Sequence, residues 1–299
     1  MRGSIKFQAG QIVENISAIG ESKRENKTTP HLRGGLKTSP YIHSYRTQDE
    51  VFNRAVDLMR YARECHKVKD AQSIDSKIIK GYIQEKIDLG IKKRSIDTYI
   101  SQLEKIRSSL DSMPKLIEKH NNLFSRDDLV ECKEMAKSAT ISEHTSRAYG
   151  KPQAMINAIE NPQSQFIANL QLNYGLRLNE ARKIKASQLQ GNKLTIRGKG
   201  GYFLTKELSK EDTSTLKYLL WQNGGKLEVA ERTYRTHLQN ACKATKQEFT
   251  GSHGLRYNYA LTSYNNLLAN NVTHEKALEI VSEAMGHHRA DITLHYLRD

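Results

Sequence analysis

The stretch LTIRGKGGYFLTKEL, residues 194–208, carries a strand pattern in a chain otherwise written in helical periods. Strand-like runs over 193–197 and 201–205 flank Gly198, Gly200 and Gly201. Glycines between two such runs signal a hairpin, because they take backbone angles that side chains resist. Around it the apolar spacing predicts helices over 152–160 and 163–174, a third from near Leu178, then 211–221, 230–245, 254–269 and 274–285. Pro152 suits the first turn of its helix, where a missing N–H is no loss. The fold class that follows is mainly α with a small β-sheet.

Working outward, residues 47–136 read as a separate helical domain of four helices. Thr47 and Glu50 form a capping box ahead of Val51, Phe52, Ala55, Val56, Leu58, Met59 and Ala62. Ile74, Ile78, Ile79, Tyr82, Ile83 and Ile87 make a second stripe ended by Gly90. Ile96, Tyr99, Ile100, Leu103 and Ile106 make a third, with Ser95 as its N-cap, and Ser125 with Asp128 opens the fourth. Residues 137–151, KSATISEHTSRAYGK, are small and polar and read as a linker into a second domain, 152–299. Residues 1–46 read as a flexible basic arm that includes ESKRENKTTPHLRGGLKTSP, with room for a short helix near 10–20.

The 299 residues hold 47 Lys and Arg against 33 Asp and Glu, a net charge of +14, with 37% apolar content. The excess lies in residues 1–44, with 7 basic and 3 acidic, and in 137–299, with 22 and 14. Such a balance favours a polyanionic partner. No apolar run approaches the roughly 18 residues of a spanning helix, and MRGSIKFQAG lacks a signal-peptide core, so a cytoplasmic protein is expected and a membrane partner is not. Cys65, Cys132 and Cys242 form no CxxC pair and no zinc-type cluster. They exclude a disulfide scaffold and are expected to pack inside helices as small apolar residues.

Several residues stand at turns and helix starts rather than on solvated faces. Arg177 lies in YGLRLNEA, Lys199 at the hairpin tip, His253 and Arg256 in SHGLRYNYA, His287 after Met285-Gly286, and Tyr296 nine residues later. Singly, each has a dull explanation in exposed charge or capping. Together they match what a phosphodiester reaction needs. Arginine forks hold the non-bridging oxygens, a lysine or histidine moves protons, and a tyrosine hydroxyl can attack phosphorus.

YGLRLNEA, the lysine of IRGKGGY, SHGLRYNYA and MGHHRADITLHY closely resemble, in order, the catalytic motifs of the tyrosine recombinases, the phage integrase family. The resemblance covers 152–299 and reaches 47–136 more loosely through TYISQLEKIRSSL, which looks like a helical core-binding domain; it does not reach 1–46. It implies a two-domain architecture, with a helical core DNA-binding domain and an α+β catalytic domain. It also implies that Arg177, Arg256 and His287 bind the scissile phosphate. Lys199 would protonate the 5′ leaving oxygen, His253 would assist proton transfer, and Tyr296 would form a 3′-phosphotyrosyl link. Glu180 matches the acidic position of GLRxxE and would support Arg177. No metal or other cofactor is implied.

Departures are few. Met285 replaces a common leucine, and His288 adds a second histidine that suits the turn or a DNA contact. Many relatives continue past the tyrosine into a helix that docks on a neighbouring subunit. Here Leu297, Arg298 and Asp299 follow, so the assembly mode stays open and the 274–285 helix with its following loop is the expected relay between subunits.

The expected function is a site-specific DNA recombinase acting for a prophage or other mobile element; a chromosome- or plasmid-dimer resolvase or an inversion enzyme is the alternative. The expected partners are double-stranded DNA at specific sites, three further copies on paired sites, and accessory directionality or DNA-bending proteins. A type IB topoisomerase and a catalytically silent DNA-binding relative are the rivals.

Overall fold

The structure is a computed structural model that describes residues 3–30, 32, 37–114, 123–141, 146–198, 201–287 and 289–297. It divides into two compact units, residues 1–143 and 144–299.

In the first unit, α1 (Ile5–Asn15) is followed by the short pair β1 (Thr29–Pro30) and β2 (Lys37–Thr38), then α2 (Tyr45–His66), α3 (Ser76–Asp88), α4 (Lys93–Ser112) and α5 (Arg126–Met135). The apolar stripes read from the sequence form its core, with Val51, Leu58, Ile79, Tyr82, Ile100 and Leu103 fully buried. Two helix starts differ from expectation. Ser44, not Thr47, caps α2, accepting from the Thr47 amide at 3.2 Å. α4 begins before Ser95, with Lys92 at the cap and no side-chain cap bond. The Ser125–Asp128 box opens α5 with both reciprocal bonds made.

Residues 1–46 are not a separate flexible arm over their described part. α1 buries Ala9, Ile12 and Val13 in the helical core, and Ile16 and Ile42 join them. Gln8 Nε2 donates to Lys69 O at 2.9 Å, and Ser109 Oγ donates to Ile12 O at 2.8 Å. Lys105 Nζ donates to Ser39 O and Tyr41 O at 2.7 and 2.8 Å, and burial, with Lys23 nearby, pushes its ammonium down to about 8. The sequence hides this packing for a physical reason. One apolar stripe lies beside a long polar, glycine- and proline-containing run whose own backbone is held by contacts far away in sequence. Ile12→Ala should therefore lower the unfolding free energy by about 2–5 kcal/mol, read from the urea midpoint; an unchanged midpoint would mean α1 is undocked.

The expected linker is packed at both described ends. Ala139 is buried in the first core, while Tyr149 lies in the second and donates through its hydroxyl to Gly251 O at 3.0 Å. Single buried residues leave no periodic trace in a sequence.

The second unit runs α6 (Pro152–Asn157), α7 (Pro162–Tyr174), α8 (Leu178–Ala181), β3 (Lys183–Lys185), β4 (Leu189–Gln190), β5 (Lys193–Arg197), β6 (Phe203–Glu207), α9 (Lys210–Gln222), β7 (Lys226–Glu228), α10 (Glu231–Ala244), α11 (Gly254–Ala269), α12 (His274–Ala284) and α13 (Ala290–Leu297). β4, β5 and β6 form an antiparallel sheet, and β3 pairs antiparallel with β7. The hairpin is present, but its second strand starts at Phe203, opposite Arg197, because the connection takes up residues 198–202. Cys132 and Cys242 are buried as expected, whereas Cys65 is exposed on α2. Among the described residues no helix is long and apolar enough to cross a membrane.

Candidate active site

The site is assembled by backbone turns that present charged heads to one place. Gly175 ends α7 in the left-handed conformation, φ 66°, and a Cβ there would lie 2.5 Å from the Tyr259 ring. Glycine is required on both counts. Two residues on, Arg177 caps α8. Glu180 accepts from the Arg177 amide at 2.7 Å and from its Nη1 at 2.8 Å. The Glu180 side chain is 5% exposed and that of Arg177 21%, so a charge-assisted pair holds the arginine at both ends while leaving its head partly open. Glu180 is thus the structural support of Arg177.

Arg256, in the first turn of α11, is fully buried. Its Nη1 donates to Gly175 O, and its Nη2 donates to Met285 O at 2.6 Å and meets His287 Nε2 at 2.8 Å. A guanidinium has no acceptor, so His287 Nε2 accepts and the imidazole is neutral, with its proton on Nδ1. Arg256 Nε is buried with no hydrogen-bond partner among the described residues. Burial works against the Arg256 charge, and Tyr296 and Glu180 favour it.

α13 was not foreseen from the sequence, and it places Tyr296 here. The Tyr296 ring stacks on His287 with centroids 5.3 Å apart and lies 4.6 Å from the Tyr257 ring. The Arg256 guanidinium carbon is 5.9 Å from the Tyr296 centroid. His253, at the N-cap of α11, keeps an accessible ring. The protein crowded around it, then the charges of Arg256, Arg147 and Arg177, hold it below the usual imidazole range. It is therefore neutral near pH 7 and able to accept a proton. Lys199 and His288 lie outside the described residues.

The structure brings Arg177, Arg256, His287 and Tyr296 together, with His253 one turn before Arg256. Three neighbours were missed in the sequence. Tyr257 packs on the Tyr296 ring. Arg147, inside the expected linker, donates through Nε to Thr250 O at 3.1 Å. Lys206 is buried on β6. Only Lys206 left a signal, since it shares strand parity with Leu204 and Leu208. Arg177 and Arg256 have Glu180 as their carboxylate among the described residues, so positive charge is in excess there.

No family model and no curated protein sequence matches the chain. Solved structures do. The XerH site-specific recombinase bound to difH substrate, a pre-cleavage complex, superposes with a TM-score of 0.65 at 13% identity, over 99% of this chain and 93% of that one. A lambda integrase tetramer bound to a Holliday junction gives 0.54 at 17% identity, over 82% and 72%. The Tn1549 transposon integrase in complex with transposon right end DNA gives 0.52 at 10% identity, over 98% and 95%. With mainly helical units and small antiparallel sheets, the chain has the fold of the tyrosine recombinases.

Proposed function

We propose that the protein is a site-specific DNA strand-transfer enzyme with Tyr296 as its nucleophile. The observation that carries this reading is the meeting of Arg177, Arg256, His287 and Tyr296 at one charge-excess site. The Tyr296 oxygen attacks phosphorus, the bond from phosphorus to the 5′ oxygen breaks, and a 3′-phosphotyrosyl link forms. The two arginines and His287 hold the non-bridging oxygens as charge builds there. Neutral His253 takes the tyrosine proton, and Lys199 supplies one to the departing 5′ oxygen. The link keeps the bond energy, so a second strand's 5′-hydroxyl reverses the step. The biological role we assign is integration and excision of a mobile element, with four protomers on paired sites; lambda and Tn1549 integrases share this fold, as does the XerH site-specific recombinase. The net charge of +14 suits salt-sensitive binding to the DNA backbone.

The test uses a pool of end-labelled, nicked duplexes with randomised arms, in which cleavage releases a short fragment and traps the adduct. We expect SDS-resistant complexes that map to Tyr296 and converge on one sequence with two half-sites. Adducts without sequence convergence, together with relaxation of any supercoiled plasmid, would make the protein a topoisomerase. A pool with no adduct would remove the reading.

Lys199 has its own test. Lys199→Ala should slow cleavage by about 10²-fold or more on ordinary DNA and much less when the 5′ leaving oxygen is sulfur, which departs without a proton. Equal defects on both substrates would take the acid role from Lys199.

A further inference from the structure

We propose that Lys206 is a positioning residue for this site: its buried ammonium holds the carbonyl end of α12 and so fixes the turn that delivers His287. The inference rests on the reading of Arg177, Arg256 and His287 as a phosphate site. Three consecutive carbonyls, Ala284 at the end of α12 and Met285 and Gly286 just past it, each meet a cation from a different element. Lys206 Nζ, from β6, donates to Ala284 O. Arg256 Nη2, from α11, donates to Met285 O at 2.6 Å, and Arg177 Nη2, from the cap of α8, donates to Gly286 O at 3.2 Å. The last carbonyls of a helix lack intrahelical partners and carry its negative pole, which makes them natural ligands for cations. The next residue is His287, whose amide returns to Ser282 O at 2.9 Å.

Two of these three cations are the proposed phosphate ligands. An arriving phosphate competes with Met285 O and Gly286 O for their donors. Lys206 has no such second duty, and it keeps α12 in place while the arginines exchange partners. Its location also asks for a reason. Lys206 is 9% exposed and lies 5.6 Å from the Tyr259 ring centroid, where an apolar side chain would pack without the cost of burying charge. Burial, with Arg256 nearby and Glu180 opposing, pushes its ammonium down to about 8.

Lys206→Met in the full chain keeps the stem and removes the ammonium. In DNA-free protein, amides over 284–290 should exchange hydrogen about tenfold faster, while Tm stays level or rises because a buried charge is gone. On the DNA recovered from the pool, first-order adduct formation at saturating protein should fall about tenfold or more, with DNA affinity within about twofold. The groups facing Lys206 are Arg256, Glu180 with its partner Arg177, and Tyr259, and both proteins share them, so the wild-type to variant rate ratio isolates Lys206. The ammonium is charged below about 8 and neutral above it. That ratio should therefore shrink toward one from about pH 7 to about 9.5. Unchanged exchange and rate, or a lower Tm with faster exchange throughout both units, would overturn the proposal. Wild-type protein that forms no adduct would remove the strand-transfer reading instead, and the exchange measurement would still decide whether Lys206 holds α12.

Discussion

Tyr296→Phe is expected to abolish the covalent DNA adduct, reducing it by at least about 10⁴-fold, and to leave DNA affinity within about twofold. The substitution removes one oxygen, which partners the Arg256 guanidinium, from a ring that packing also holds. Stacking on His287 at 5.3 Å and the Tyr257 contact at 4.6 Å are made by ring carbons, so α13 keeps its place. Arg177 and Arg256 keep their carbonyl and carboxylate partners, since none of those bonds uses the Tyr296 hydroxyl. Binding and chemistry therefore separate cleanly in this variant. The measurement is a gel shift beside an SDS-resistant adduct on the same labelled duplex. A persistent adduct would place the nucleophile elsewhere; loss of both signals would mean Tyr296 serves binding rather than attack.

Arg256→Lys comes second, with single-turnover cleavage falling by about 10²- to 10⁴-fold. One planar fork here serves three acceptors at once: Gly175 O, Met285 O and His287 Nε2. A lysine is a point charge at the end of a flexible stem and cannot span them. His287 then loses the donor that sets its tautomer, and the phosphate loses a bidentate partner. The site also loses geometry rather than charge, which is why a charge-conserving change is the informative one. Arg177→Lys should cost less, because Glu180 still holds the Arg177 backbone amide. Thermal unfolding run alongside separates the two causes of lost activity. A variant with wild-type Tm and a rate within about tenfold of wild type would take Arg256 out of the chemistry.

Much of this was legible in the sequence because local signals and global fold agreed. The stripes of Ile and Leu in α3 and α4, the Ser125–Asp128 box, Pro152, the glycine hairpin and α11 over residues 254–269 all express short-range rules. The six motif residues could be picked out in order because turn glycines and helix starts flank them. α1 failed this test. Its stripe of Ala9, Ile12 and Val13 is as clear as those of the other helices, but its partners lie far along the chain, on α2 and on α4, as in the bond from Ser109 to Ile12, 97 residues apart. α13 was missed because eight residues around a functional tyrosine show little of a helix's usual periodicity.

By itself the sequence determined the residue types available for chemistry, their order, the helix and hairpin pattern around them and the basic balance of the chain. Those follow from local propensity, turn chemistry and composition, which act over a few residues. Only the tertiary structure decided that Arg256 is fully buried, that His287 is held neutral by it, and that Lys206, Arg256 and Arg177 share three successive carbonyls at the end of α12. The reason is physical. A charged side chain looks the same in a sequence whether it meets water or a helix end, and what it costs and does depends on partners brought from α8, β6, α11 and α12 by packing alone.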